Sequence, residues 1–265
     1  MADGLRLKYY GWSGFRLITP EGRRLFFDPL LTDPLSGAPL VQRDGLEAGD
    51  LVCVTHGHFD HYMDVSALVE GRDVLVIGSD EICDFTRRTH GVPPAKLRPI
   101  PFDATVAVEG IRLHTFEWDH RIVDPKAMFA QTSAPTFEQL RTIYFATPHA
   151  ARRMGFVVEL ADGRKVVNYC EGFNDQTQMD KVAAVAARHR PDVLIGGAQL
   201  DYDGFTAEAI ATLKPRVAVL FHPHRAYFDL IGLRSKPIEA FLARIAEECP
   251  GVEARVPEAF EEITL

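Results

Sequence analysis

What this chain lacks narrows it before any motif is read. No apolar run approaches the roughly 20 residues needed to cross a bilayer, so no membrane span is expected. The four cysteines, Cys53, Cys83, Cys170 and Cys249, are scattered and show no C-x-x-C spacing. Two of them sit in apolar, strand-like runs, and all four read as reduced core residues of a cytoplasmic protein. The opening MADGLRLKYYG lacks the basic-then-apolar pattern of a secretory signal. Basic residues are in the minority, 29 Lys and Arg against 37 Asp and Glu, which disfavours charge-driven binding to nucleic acid or to an anionic membrane. No nucleic-acid partner is therefore expected, whereas a small anionic substrate held by a local cation stays compatible. Serine-nucleophile motifs, G-x-G-x-x-G fingerprints and Walker loops are all missing, as are repeats and low-complexity segments.

What is present is a chain of 265 residues, 46% hydrophobic, enough for a sizeable core, and read here as a single domain over 1–265. Its chemistry is concentrated in Leu51 to Val65. The apolar run Leu51-Val52-Cys53-Val54 has the character of a buried strand. His56, His58, Asp60 and His61 follow at once. Three imidazoles and a carboxylate within six residues are costly to gather unless something binds them, and neutral imidazole with carboxylate is the usual donor set for zinc and related divalent ions. Gly57 lets the backbone turn so that these side chains converge.

The spacing H-x-H-x-D-H after a strand resembles the signature of the metallo-β-lactamase superfamily. The resemblance implies that His56 and His58 bind one metal, that Asp60 and His61 bind a second, and that Asp60 also touches the activated water. The opening of the chain is similar too. Strands at Leu5 to Tyr10, Phe15 to Thr19 and Arg24 to Phe27 are expected, the last ending at Asp28-Pro29. In the turn Gly11-Trp12-Ser13-Gly14-Phe15, Trp12 stands where the family often has histidine. Asp28 reads either as a buried acid that orients the metal loop or as an ordinary strand-end turn residue.

Three downstream strand ends offer further donors under the resemblance. His120, just past the strand Ile111 to Phe116, falls where the family places its fourth histidine, while His114 is mid-strand and reads as packed. Trp118 is a candidate to support the ligands or to meet substrate. After Val166 to Tyr169, Glu171 takes the place of the family's bridging aspartate, with Cys170 replacing glycine. After Val217 to Phe221, His222 matches the last histidine, and His224 is its competitor or a substrate contact. The fold implied is α/β (α+β), a four-layer αββα sandwich; Arg121 to Arg153, long and without a strand period, reads as an insertion near the active site that covers the cleft.

Between these points the pattern predicts helices at Val65 to Val69, from Ser79 or Asp80 to about Thr89, at Thr136 to Ile143, at Gln176 to Arg188, at Ala207 to Leu213 capped by Thr206, and at Ile238 to Glu248. Val252 to Val256 is expected as the last strand. The organisation around Asp192 to Arg216 looks most like the branch with L-ascorbate-6-phosphate lactonases and N-acylphosphatidylethanolamine phospholipase D. The expected activity is metal-dependent hydrolysis of a phosphoester, phosphodiester, lactone or other ester in a small molecule. It would use a divalent pair, zinc first, with manganese or iron as alternatives. A di-iron redox enzyme in the same ligand cage and a catalytically inactive metal-binding protein are the competing readings. Composition leaves room for a homo-oligomer.

Overall fold

The structure is a computed structural model that describes residues 4–34, 36–41, 45–122, 138, 141–142, 145–221, 228–229 and 233–265. The chain forms two compact units. The first comprises Met1–Glu117, Thr142–Met154 and Glu258–Leu265, and the second Trp118–Arg141 and Gly155–Pro257.

In the first unit, β1 (Arg6–Gly11), β2 (Gly14–Ile18) and β3 (Arg24–Phe27) form an antiparallel meander. Parallel pairing then adds β4 (Leu51–Cys53), β5 (Leu75–Gly78) and β6 (Leu97–Pro99). Parallel neighbours need a crossover connection, and the residues between them supply it: α1 (Phe59–Tyr62) and α2 (Val65–Val69) before β5, and α3 (Asp80–His90) after it. Phe26, Val52 and Val76 of the strands, with Val54 just past β4, pack with Tyr62, Val65, Leu68 and Ile82 of the helices in one buried cluster. Helix α3 begins where the sequence predicts: the Ser79 hydroxyl accepts from the Ile82 amide at 3.3 Å, and Gly91 closes the helix in the left-handed region. Such a serine cap contributes about 1 kcal/mol. Strands β7 (Thr105–Val108) and β8 (Ile111–Glu117) form a hairpin around Glu109 and Gly110, both at positive φ.

In the second unit, β9 (Met154–Glu159) pairs antiparallel with β10 (Lys165–Cys170), and β11 (Val193–Gly197), β12 (Val217–Phe221) and β13 (Glu253–Arg255) follow in parallel. The crossovers are α4 (Met179–His189), α5 (Asp203–Leu213) and α6 (Ile238–Glu248). Strands β11 and β12 are buried along their whole length, as expected of parallel strands covered on both faces. The class is therefore the expected mixed α/β fold, two sheets flanked by helices. Among the described residues no helix is long and apolar enough to cross a membrane.

Two local expectations are corrected. Helix α5 starts at Asp203 with Tyr202 as its N-cap, so Thr206 is not a cap; its hydroxyl instead donates back to the Tyr202 carbonyl at 3.0 Å inside the first turn. The chain also does not end its strands at Val256. A further strand, β14 (Glu262–Thr264), pairs antiparallel with β1. The helix expected at Thr136 to Ile143 lies largely outside the described residues, and so does most of the insertion it belongs to.

Candidate metal centre

In the first unit the candidate residues form one hydrogen-bonded cluster anchored on Asp28. This aspartate ends β3 at φ 44°, is wholly buried, and accepts three bonds. Its Oδ1 takes the Thr55 amide at 2.7 Å, and its Oδ2 takes the Thr55 hydroxyl at 2.6 Å and His61 Nδ1 at 2.8 Å. A carboxylate only accepts, so both protons are located: the Thr55 hydroxyl points at Asp28, and His61 carries its proton on Nδ1. Since the Thr55 hydroxyl proton is committed, its oxygen accepts from His56 Nδ1, 3.0 Å away. Each ring thereby presents Nε2 as a lone-pair donor, the form that binds metal. Asp28 is thus a buried acid bonded to the loop that carries His56 and His61.

The donor atoms meet at the front of this frame. His56 Nε2 lies 3.1 Å from His58 Nδ1, and His61 Nε2 lies 3.2 Å from Asp60 Oδ2. The second contact sets a lone pair against a carboxylate oxygen, which is repulsive unless a proton or a cation lies between them. His56 and His61 are fully buried and Asp60 nearly so, so water screens little of this. The donor set fits a borderline divalent ion such as zinc. Ser13 Oγ lies 3.5 Å from His61 Nε2. Trp12, in the position where the family often has histidine, has turned away from metal chemistry: its indole Nε1 donates to Asp33 at 2.7 Å. Local backbone geometry explains how four candidate ligands fit on so short a loop. A Cβ on Gly57 would sit 2.0 Å from the Pro148 carbonyl oxygen, so only glycine lets the loop lie this close. His58 then starts the short helix α1, which carries Asp60 and His61.

In the second unit His120 and Glu171 come together. His120 Nδ1 donates to the Arg121 carbonyl at 2.8 Å, which leaves Nε2 as the acceptor, 3.4 Å from Glu171 Oε2. Burial pushes the His120 pKa below the ordinary imidazole value, partly offset by Glu171. Burial thus favours the neutral imidazole, the form that binds metal. Trp118 packs beside the His120 ring with centroids 5.8 Å apart. The segment is pinned through Asp119, whose carboxylate pairs with Lys181 at 2.9 Å and whose carbonyl accepts from Asn174 Nδ2 at 2.8 Å.

Glu171 follows a register shift between β10 and β11 at Asn168 and Cys170, a device that re-aims a strand-end side chain. Cys170 takes φ 51°, its amide caught by Asn168 Oδ1 at 2.9 Å. The Glu171 carbonyl accepts from Asn174 Nδ2 and from Gln199 Nε2, each at 3.2 Å. Its carboxylate is buried against Arg121, whose Nη1 donates to Oε2 at 3.2 Å and also to Gln199 Oε1. Thr55, Arg121, Asn174 and Gln199 carry no motif of their own. Thr55 and Arg121 each adjoin a candidate histidine, and Gln199 follows the end of a parallel strand; those positions are the signals that could have found them. His114 is packed as expected, its Nδ1 2.7 Å from Thr105 Oγ1. His222 and His224 lie outside the described residues.

Comparison with known proteins agrees with this chemistry. The profile of the beta-lactamase superfamily domain matches residues 23–223. A UPF0173 metal-dependent hydrolase of Thermoplasma acidophilum is 28% identical over 233 residues, covering 86% of this chain and 87% of the relative. Another, from Rubrobacter xylanophilus, is 32% identical over 168 residues, 63% of this chain and 60% of the relative. Among solved structures, Igni18, a metallo hydrolase from Ignicoccus hospitalis, shares the fold with a TM-score of 0.71 at 19% identity over 98% of both chains. The profile match takes in more than half of the chain, including every described candidate ligand, and the chain accordingly belongs to the metallo-β-lactamase superfamily.

Proposed function

We propose that this protein is a metal-dependent hydrolase whose metal ligands are His56, His58, Asp60, His61, His120, Glu171 and His222. The reading is supported above all by the Asp28–Thr55 frame, which fixes the tautomers of His56 and His61 so that both offer Nε2. A purely structural cluster has no need to hold two buried imidazoles in the metal-binding form. A divalent pair bound there would lower the pKa of water from about 16 towards about 7 and polarise a carbonyl or phosphoryl oxygen.

The chain's own groups do the rest. Asp60, poised beside His61 Nε2, takes up the proton of the attacking water or orients it. Asp28 holds His61 in place while Asp60 does so. Trp118 and His224 support the ligands or meet the substrate. The preferred substrates are small phosphoesters, phosphodiesters and lactones, the last two in keeping with the resemblance to the lactonase and phospholipase D branch. Relatives named metal-dependent hydrolases point to the same reaction class.

The test is turnover. Purified protein is stripped with chelator, reconstituted separately with zinc, manganese and iron, and assayed on generic phosphodiester and lactone substrates. Hydrolysis that depends on the added metal is expected. Stoichiometric iron with no hydrolysis would favour the redox reading instead, and no bound metal at all would end the proposal.

A further inference from the structure

The least expected feature of the second unit is the cation at the carboxylate meant for a metal. Arg121 and Glu171 face each other at 3.2 Å, with their side chains only 8% and 1% exposed. A guanidinium keeps its charge at any working pH, and a buried carboxylate needs a compensating cation. Arg121 supplies one without any metal. It is no swinging arm. Its Nη1 is shared with Gln199 Oε1, its guanidinium carbon lies 5.1 Å over the Phe228 ring, and its carbonyl is held by His120 Nδ1.

We propose that Arg121 competes with a metal ion for Glu171, so that the ion Glu171 helps to bind is held more weakly than its neighbour and is exchangeable. The inference rests on Glu171 being a ligand, as proposed above. The argument is electrostatic. An ion on Glu171 must either share Oε2 with the guanidinium or use the other oxygen of the same carboxylate. In both cases a fixed positive charge stands within a few ångströms in a nearly dry setting, where like charges repel strongly and salt screens little. The network holds the guanidinium in place, so the repulsion falls on the metal. The same pair keeps Glu171 aimed and neutralised while that ion is absent. The bonds that place His56 and His58 run to Thr55 and between the two rings, so an ion that they hold need not share the Glu171 carboxylate with the guanidinium.

The experiment is calorimetric titration of zinc, and separately manganese, into metal-free full-length protein and its variants. Wild type is expected to show one tight and one weak event. Arg121→Gln keeps an amide donor near Glu171 but removes the charge, and should tighten the weak event by about tenfold or more while leaving the tight one unchanged. Local damage cannot imitate this result, since a loosened site loses metal. Loss of the weak ion in Arg121→Gln, or two unaltered affinities, would overturn the proposal. If that variant does not fold, Gln199→Glu replaces it: the new carboxylate draws the guanidinium from Glu171, and again the weak event should tighten. Glu171→Gln separates the two layers of argument. If it leaves both affinities at wild-type values, Glu171 is no ligand and the metal assignment itself fails. If it abolishes the weak event while Arg121→Gln changes nothing, only the competition fails.

Discussion

Asp28 Oδ2 and His61 Nδ1 meet at 2.8 Å in a pocket closed to solvent, across 33 residues of sequence. Because the same carboxylate also binds Thr55, and Thr55 in turn meets His56, one buried acid sets two imidazoles. Asp28→Ala removes the acceptor for three donors at once. Each hydrogen bond to a charged group is worth about 1.5–3 kcal/mol, and loss of an outer partner typically lowers metal affinity by about 10–100-fold. The expected outcome is a lower Tm together with weaker zinc binding, measured by competition with a chromophoric chelator. Wild-type zinc affinity in a folded Asp28→Ala protein would show that the histidines keep their tautomers unaided.

Gly57 makes a sharper steric prediction. A Cβ there would lie 2.0 Å from Pro148 O and 2.4 Å from Pro148 C. Both atoms are backbone, so no side chain can rotate away. Overpacking of this kind costs about 1–3 kcal/mol or more, and here the strain falls on the loop carrying the candidate ligands. Gly57→Ala should therefore lose metal disproportionately to its loss of stability. Parallel measurement of bound zinc and Tm checks this; a variant with wild-type metal content would place the strain elsewhere.

How far the sequence carried depends on where the information sits. The loop His56 to His61 was legible because its candidate ligands are dense and local, and β1 to β4 were legible because apolar runs bounded by turn residues mark them. Asp28 was ambiguous because its role exists only through Thr55 and His61, more than 25 residues away. Arg121 and Gln199 were invisible as a pair, being 78 residues apart. Thr206 was misread as a cap because a threonine before an alanine-rich stretch looks like one, whereas the helix already begins at Asp203. Strand β14 was missed since three residues, Glu262, Ile263 and Thr264, are too few for a period to be seen.

A pH prediction attaches to Asp64, which anchors the loop after β3 by accepting from the Leu31 and Thr32 amides at 2.7 and 3.4 Å. Burial raises its pKa above the ordinary 3.8, and the two amides only partly offset this. An acid with a raised folded value binds its proton more readily in the folded state. Its contribution to stability is therefore fully present below the unfolded value and is lost as pH rises through the folded one. Asp64→Asn keeps an oxygen acceptor and removes that loss. Calorimetric Tm values from about pH 3.5 to about pH 7 should show the variant gaining on wild type as pH rises. A variant that falls further behind with rising pH would mean the charged form is favoured by the fold.

The last prediction concerns Glu171 as a ligand one methylene longer than the aspartate of the family pattern. A longer chain adds a rotatable bond, and fixing it costs up to about 1 kcal/mol of side-chain entropy. The surroundings bear that cost: the Glu171 carbonyl is held by Asn174 and Gln199, its carboxylate is steadied by Arg121, and the bulge at Cys170 sets its direction. The residue after it lies close against the strand end, since a Cβ on Gly172 would sit 2.6 Å from the Tyr169 ring. Glu171→Asp should then pull the carboxylate back from the metal on a backbone set for the longer chain, giving partial metal content and partial activity. Glu171→Ala should lower metal content towards one ion and reduce hydrolysis sharply, while also leaving Arg121 buried without its carboxylate and lowering Tm. His58→Ala should instead strip the ion held with His56. Metal analysis and turnover on the three variants, side by side, decide the matter. The expected order of retained second metal is wild type, then Glu171→Asp, then Glu171→Ala. Full metal content and normal turnover in Glu171→Ala would reduce this residue to the partner of Arg121 and leave the proposed metal pair without a bridge.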